Sequence, residues 1–377
     1  MIQNTNKPIK KTFLTLVLAL LISLACFSQS ADQKPALEHE SSWSVILLPD
    51  VQNYSKWNRN QPILDLMMAW IEDNIDTLNI KMVLCTGDLV EQNDLFIPAH
   101  NGDQSAQRQW EFVSNSFSRL NGKVPYITAL GNHDFSIDTA LKRTTRFGEF
   151  FKIDDNWLNK KSLVQNGTDE SGEQSLQNAA YEVKSINGGK DYLFMTVEYA
   201  PRDTVLSWAK KVSELEQYKE HRIVLLTHAY LTPKDQQWDG ENRWFIYEPY
   251  VIDNKSQKSE RYLLPYANNG KQIWGKLVKS TINIEMVLSG HIFGEGYRYD
   301  KNDAGQTVHQ MLFNTQGEGG GHIDGNGGDG WLRILEFFPD NKTVKVKTFS
   351  PFFASSPSTK HLASRKDARN EFEMKFD

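Results

Sequence analysis

Tyr126-Ile127-Thr128-Ala129-Leu130-Gly131-Asn132-His133-Asp134 changes character at a single residue. A run suited to a buried strand gives way, at Gly131, to an amide, an imidazole and a carboxylate. A short apolar run without polar alternation is what a strand covered on both faces looks like, and a glycine behind it lets the chain turn sharply. The same change recurs along the chain. Val45 to Leu48 precedes Asp50, Met82 to Cys85 precedes Gly87-Asp88, Ile223 to Leu226 precedes His228, and Met286 to Leu288 precedes Gly290-His291.

Helical patterns lie between these runs. Pro62 opens a stretch in which Ile63, Leu66, Met67, Trp70, Ile71, Ile75 and Leu78 follow three-and-four spacing. Phe112 to Leu120, Val205 to Leu215 and Ile273 to Val278 repeat that spacing. Strands alternating with helices predict an α/β fold with chemistry at the C-terminal strand ends. Towards the C-terminus, Trp331 to Phe338 and Thr343 to Phe349 read as a hairpin turned by Pro339-Asp340-Asn341. With Tyr181 to Val183 and Leu193 to Tyr199, that hairpin is expected to build a second sheet facing the first. The glycine-rich stretch Gly317 to Gly330 is a loop, either a plain surface connection or backbone passing close to the active site.

Composition narrows the function. With 39% hydrophobic and 24% charged residues the chain resembles a soluble globular enzyme, and a net charge of −5 excludes the cationic field that draws in nucleic acid. Lys7, Lys10 and Lys11 precede an apolar run, Phe13 to Ala25, with the length and flanks of a secretory signal rather than a membrane span. Two processing sites stay open: before Cys26, which would leave a lipid-anchored product, and near Ser28. Ser23 departs from the larger aliphatic residue that the first prefers. After Cys26 only Cys85 remains, so the mature chain has no internal disulfide, and Cys85 sits in an apolar run as a buried small residue. The chain thus divides into a signal over 1–28, a polar spacer over 29–42, one domain over 43–353 and a polar C-terminal tail over 354–377.

Asp50, Gln52, Asp88, Asn132, His228 and His291 together offer carboxylate, amide and imidazole groups at strand ends, a ligand set for catalytic divalent metals. Their order, with Asp50-Val51-Gln52, Gly87-Asp88, Gly131-Asn132-His133-Asp134, an isolated His228 and Gly290-His291, resembles the motifs of calcineurin-like metallophosphoesterases. The resemblance spans roughly residues 44 to 350 and implies a four-layer αββα sandwich of two facing mixed β-sheets, with two divalent metals (Mn, Zn, Fe, Mg or Ca not distinguished) above them. It implies that Asp88 bridges the metals, that Asn132, His228 and His291 complete the second site, and that Asp50 with Gln52 belongs to the first. It also implies that His133, oriented by Asp134, serves the leaving group as proton donor. Paired cations neutralise phosphate charge and bring a water pKa into the neutral range, and imidazole is suited to protonating an alkoxide there.

Two residues depart from the family pattern. Gln52 stands where a histidine is usual, and Phe293 where the last motif ends in a ligand histidine. The first site is therefore expected to be weaker. His322, in the glycine-rich loop, is either a replacement ligand or an exposed loop histidine; His309 sits in an expected strand, and His39, His100, His221 and His361 have no motif around them and read as surface residues. Between two ligands, Ala229 to Gly270 is long for a connection, and its Trp238, Arg243 and Trp244 either touch substrate or pack its own small core. The expected protein is an exported hydrolase of phosphate mono- or diesters, periplasmic or extracellular, acting on a small-molecule or glycan-linked ester. The rival from another class is a metal-dependent binding protein of the same fold that has lost catalytic power.

Overall fold

The structure is a computed structural model that describes residues 34–94, 102–137, 142–186, 188–239, 246–247, 262–263 and 267–377. Two seven-stranded mixed sheets face each other. The first runs, in spatial order, Ser364–Arg365, Thr343–Phe349, Leu332–Phe337, Trp43–Leu48, Ile80–Cys85 and Tyr126–Thr128, with Phe372–Lys375 also paired to Thr343–Phe349. The second runs Gly294–Lys301, Thr307–Asn314, Ile284–Ser289, Arg222–Leu226, Tyr192–Thr196, Gln174–Val183 and Leu163–Thr168. The strands that precede the five ligand-type residues lie in parallel runs. They are Trp43–Leu48, Ile80–Cys85 and Tyr126–Thr128 in the first sheet, and Arg222–Leu226 and Ile284–Ser289 in the second, where Tyr192–Thr196 and Thr307–Asn314 flank them in parallel.

Strand alternation divides the core into three slabs. Val45, Leu47, Met82 and Leu84 point between the sheets and meet Phe194, Leu226, Met286, Leu288 and Phe313. Ile46, Leu48, Val83 and Cys85 point the other way, onto helices Gln61–Asp73 and Ala106–Ser118 through Leu64, Met67, Trp110 and Phe117. Behind the second sheet, Leu193, Met195, Leu225 and Val287 cover helix Asp203–Ser213 and the helical turns from Gly270 to Val278. These slabs are the four layers of the αββα sandwich, and adjacent residues of each central strand are buried on opposite faces.

Three expectations need correction. The hairpin Leu332–Phe337 and Thr343–Phe349 joins the first sheet beside Trp43–Leu48, apart from Tyr192–Thr196, which lies in the second. Strand order is set by long-range pairing, which a local pattern does not carry. Residues 354–377 are no polar tail: Phe372–Lys375 pairs with Thr343–Phe349, and Met374 and Phe376 are buried between the sheets. The end of the 29–42 spacer is also docked, since the Glu38 amide donates to Glu336 and Lys347 donates to the Ala36 carbonyl. Residues 1–28, with the signal reading and Cys26, lie outside the described residues. Among the described residues no helix is long and apolar enough to cross a membrane.

Candidate metal centre

Parallel strands end where their backbone stops pairing, so the loops beyond them splay into a crevice. Asp50, Asp88 and Asn132 follow three strands of the first sheet, and His228 and His291 follow two of the second. Close backbone approach narrows the crevice. A Cβ on Gly131 would stand 2.0 Å from Asp88 Oδ1, and one on Gly290 would stand 2.1 Å from Asp50 Oδ1. Neither glycine has a positive φ, so both are needed for space, and the left-handed backbone is borne by Asp88 (φ 48°) and His291 (φ 67°) themselves. Non-glycine residues held there are costly and cluster at functional sites.

His228 Nε2 is the centre of the cluster. It lies 3.2 Å from Asn132 Oδ1, 3.2 Å from His291 Nδ1 and 3.3 Å from Asp88 Oδ2. Its other nitrogen is 2.9 Å from the Thr86 carbonyl, which only accepts, so Nδ1 carries a hydrogen. Ligand atoms of Asp88, His228 and His291 all lie within 4.8 Å of one another. Burial disfavours a charged His228, but Asp88 and Asp50 outweigh it and push its pKa up to about 9. Burial and the neighbouring His228 hold His291 down at about 3, which keeps that imidazole neutral. Asp88 is held below the usual carboxylate range: burial opposes this, and the His228 and His133 charges outweigh it.

Asp50 is fully buried and accepts from Thr86 Oγ1 (2.6 Å), His291 N (2.9 Å), Asn314 Nδ2 (2.6 Å) and Gln316 Nε2 (3.1 Å). Burial, reinforced by Asp88, raises its pKa to about 7. Gln52 Nε2 donates to Asp88 Oδ2 at 3.1 Å. A metal fits this donor set. Gln52 Oε1 and His291 Nε2 are buried without hydrogen-bond partners, and neutral imidazole with carboxylate and amide oxygen is the chemistry of divalent cation sites.

His133 lies beside this cluster. Its backbone N–H donates to Asp88 Oδ1 at 3.0 Å, and its ring Nδ1 donates to the Glu91 carbonyl at 2.8 Å. That bond leaves Nε2 to exchange a proton. Burial opposes protonation, but the Glu91 and Asp88 carboxylates raise the His133 pKa above the ordinary histidine value.

Residues 45–293 match the family model of calcineurin-like phosphoesterases. The chain belongs to that family. A protein of Bacillus subtilis (strain 168) described as "Uncharacterized protein YvnB" is 28% identical over 317 residues, 82% of this chain. The chain spans about a fifth (20%) of that relative's length. Among solved structures the chain is similar to GAP50, "the anchor in the inner membrane complex of Plasmodium", with 12% identity, 89% of each chain covered and a TM-score of 0.42.

Within this calcineurin-like phosphoesterase the expected roles shift in detail. Asp134 does not orient the His133 ring. Its buried carboxylate accepts from the backbone N–H groups of Leu89 (2.8 Å), Val90 (3.1 Å) and Gly131 (2.8 Å), tying the Asp88 loop to the Asn132 loop. The Glu91 carbonyl has the orienting role instead. The glycine-rich stretch runs along the site: carbonyls of Gln316, His322, Ile323 and Gly325 accept from Asn53, Trp57 and Asn60 in the segment after Asp50. The His322 ring faces Phe293, with centroids 5.0 Å apart, and stands outside the Asp88 cluster. His309 lies in a strand between Tyr297 and the Lys375 carbonyl, and His221 is buried against Glu182 rather than exposed. Trp238 is buried with its ring 5.2 Å from His291, while Arg243 and Trp244 lie outside the described residues.

Asn314, Gln316 and Tyr199 also belong to the site and were missed. Tyr199 stands 5.6 Å from both His228 and His291. Asn314 ends the parallel strand Thr307–Asn314, and the run Met311-Leu312-Phe313 before it carries the same signal as the five strands that precede the expected ligands. What Asn314 lacks is the glycine before it and the ionisable neighbours that mark Asn132 within Gly131-Asn132-His133-Asp134.

Proposed function

We propose that this chain is an exported, metal-dependent hydrolase of phosphate mono- or diesters. The observation that carries the reading is the joint placement of Asp88, His228 and His291 with a differently bonded imidazole, His133, beside them. Divalent metals, held by Asp88, Asn132, His228 and His291 in one half of the centre and by Asp50 and Gln52 in the other, would neutralise phosphate charge and activate water. The chain's own residues do the rest. The Glu91 carbonyl fixes the His133 tautomer, the Glu91 and Asp88 carboxylates favour its protonated form, and Nε2 delivers the proton to the departing oxygen. Asp134 keeps the two loops in register, so His133 stays beside Asp88.

The rival, a binding protein of the same fold, is favoured by Phe293, which stands 47% exposed in the place of a ligand histidine. A binder has no use for a proton donor held as His133 is. Export and a small-molecule or glycan-linked ester substrate complete the proposal, with lipid anchoring at Cys26 as one form of it and no nucleic-acid partner.

One experiment tests both parts. The full chain, expressed in a bacterial host, should be recovered from the envelope or medium lacking about the first 25 to 30 residues. The recovered protein should hydrolyse chromogenic mono- or diesters only when Mn²⁺, Zn²⁺ or Mg²⁺ is supplied, and lose that activity to a chelator. A full-length cytoplasmic product would end the export reading. Metal-loaded protein inert on every ester would end the hydrolase reading in favour of the binder.

A further inference from the structure

Gln316 is 1% exposed, and its backbone is held on both sides: its N–H donates to Asn314 Oδ1 at 3.1 Å and its carbonyl accepts from Asn53 at 3.2 Å. Its side-chain Nε2 donates to Asp50 Oδ2 at 3.1 Å, while Oε1 is buried with no hydrogen-bond partner. A buried carbonyl left unpaired keeps its full desolvation cost, so a fully enclosed glutamine in this state calls for a ligand. Gln52 repeats the arrangement on the other carboxylate, with Nε2 at 3.1 Å from Asp88 Oδ2 and Oε1 unpartnered. Each amide thus turns its N–H to a carboxylate of the metal centre. Rotating either amide by half a turn about its terminal bond would exchange Nε2 for Oε1, which a cation beside the carboxylate would favour.

The neighbours do not compete for this role. Asn314 has its oxygen engaged by the Gln316 N–H and its nitrogen by Asp50 and the His291 carbonyl, so it positions Asp50. The His322 ring lies against Phe293, and its backbone carbonyl is taken by Asn53 and Lys56.

We propose that Gln316 is a ligand of the first metal half-site, its amide oxygen filling the place in the ligand set that Phe293 cannot. The half-site then consists of Asp50, Asp88, Gln52 and Gln316, all oxygen donors, against the imidazole-rich half around His228. Oxygen-only sets suit hard cations such as Mg²⁺, Mn²⁺ or Ca²⁺, whereas imidazoles suit transition metals. The two halves accordingly differ in affinity and in preferred ion. The inference rests on the metal dependence in the proposed function, but not on turnover.

Calorimetric titration of chelator-stripped protein with Mn²⁺ tests it. Wild type should show two events, one tight and one weak. Gln316→Leu should weaken the weak event by more than roughly tenfold, beyond the low end for outer-sphere changes, and leave the tight one in place. Gln316→Glu, which offers a charged oxygen at the same reach, should strengthen the weak event. A single event in wild type, or a weak event unmoved by Gln316→Leu, overturns the assignment. Should Gln316→Leu not fold, Gln316→Glu decides alone, and an unchanged weak event there overturns it equally. Two intact events in a protein inert on phosphoesters would end the hydrolase reading and leave this one standing.

Discussion

The two ends of one sheet make a controlled comparison. Strands Tyr192–Thr196 and Arg222–Leu226 are parallel neighbours, and both of their ends collect carboxylates and imidazole. Before them stand Asp191 and His221, joined by Glu182; after the second stands His228, with Asp88 and His291. In each trio the ligand atoms lie within 4.8 Å. The difference is the counter-charge. Lys184 Nζ reaches Glu182 at 2.6 Å and Asp191 at 3.0 Å, and His221 donates to Glu182 at 2.8 Å, so the chain neutralises that trio itself. Among the described residues Asp88 pairs with no lysine or arginine, and His291 Nε2 is left bare. A metal centre differs from a salt-bridge network less in its residue types than in what answers the buried carboxylate: a lysine at one end, and at the other only imidazoles, which can give up a proton to a bound cation.

The sharpest way to break this comparison is to remove one member from each trio. Asp88→Ala deletes the carboxylate placed between the half-sites, so metal content after purification should collapse. The loss of several kcal/mol of transition-state stabilisation should cut kcat roughly a thousandfold or more. His221→Ala should leave metal content and kcat at wild-type values. Metal analysis and steady-state kinetics on the pair would decide it: metal lost from the His221 variant, or retained in the Asp88 variant, reverses the assignment of the two ends.

His133→Ala probes the site end alone. A proton donor that binds no metal should cost roughly 10²–10⁴-fold in kcat while metal content stays at the wild-type level. The loss should shrink for esters whose leaving group is a weak base, since those need no protonation. A variant stripped of metal would make His133 a ligand, contrary to its bond to the Glu91 carbonyl.

Much of this was legible in the sequence because burial and function meet at strand ends. Val45 to Leu48 and Met82 to Cys85 are apolar throughout since both faces are covered, and the first polar residues after them fall into the crevice. Pairing across the fold was not legible. The register of Leu332–Phe337 against Trp43–Leu48 joins residues nearly three hundred positions apart, and no local period encodes it. Phe372–Lys375 does carry a local signal, since Phe372, Met374 and Phe376 face inward and alternate with Glu373 and Lys375, but its partner strand is not encoded in that period. The part played by Asp134 was misjudged because adjacency to His133 suggested a side-chain contact, whereas a helical turn over Asn132–Asp134 aims the carboxylate back at Gly131 N and the Asp88 loop.

The smallest expected effect sharpens the far end of the sheet. Burial works against ionisation of Glu182, but bonds from Lys184 and His221 outweigh it and hold the carboxyl below its ordinary 4.5; Asp191 is likewise held below 3.8 by the Ser185 amide and Lys184. A carboxyl with a depressed folded-state pKa stabilises the protein above its unfolded value and loses that contribution as pH falls through the folded one. Glu182→Gln should therefore cost stability at neutral pH and cost progressively less below pH 4.5. Lys184 is 67% exposed, so solvent screening limits the effect to about 0.2–1 kcal/mol. Urea denaturation of wild type and variant at a series of pH values measures the difference directly, and metal content should not move. A gap that widens towards acid pH would mean that Glu182 is not ionised in the folded protein. The salt-bridge network would then not be what neutralises this end of the sheet, and the contrast with Asp88 would lose its physical basis.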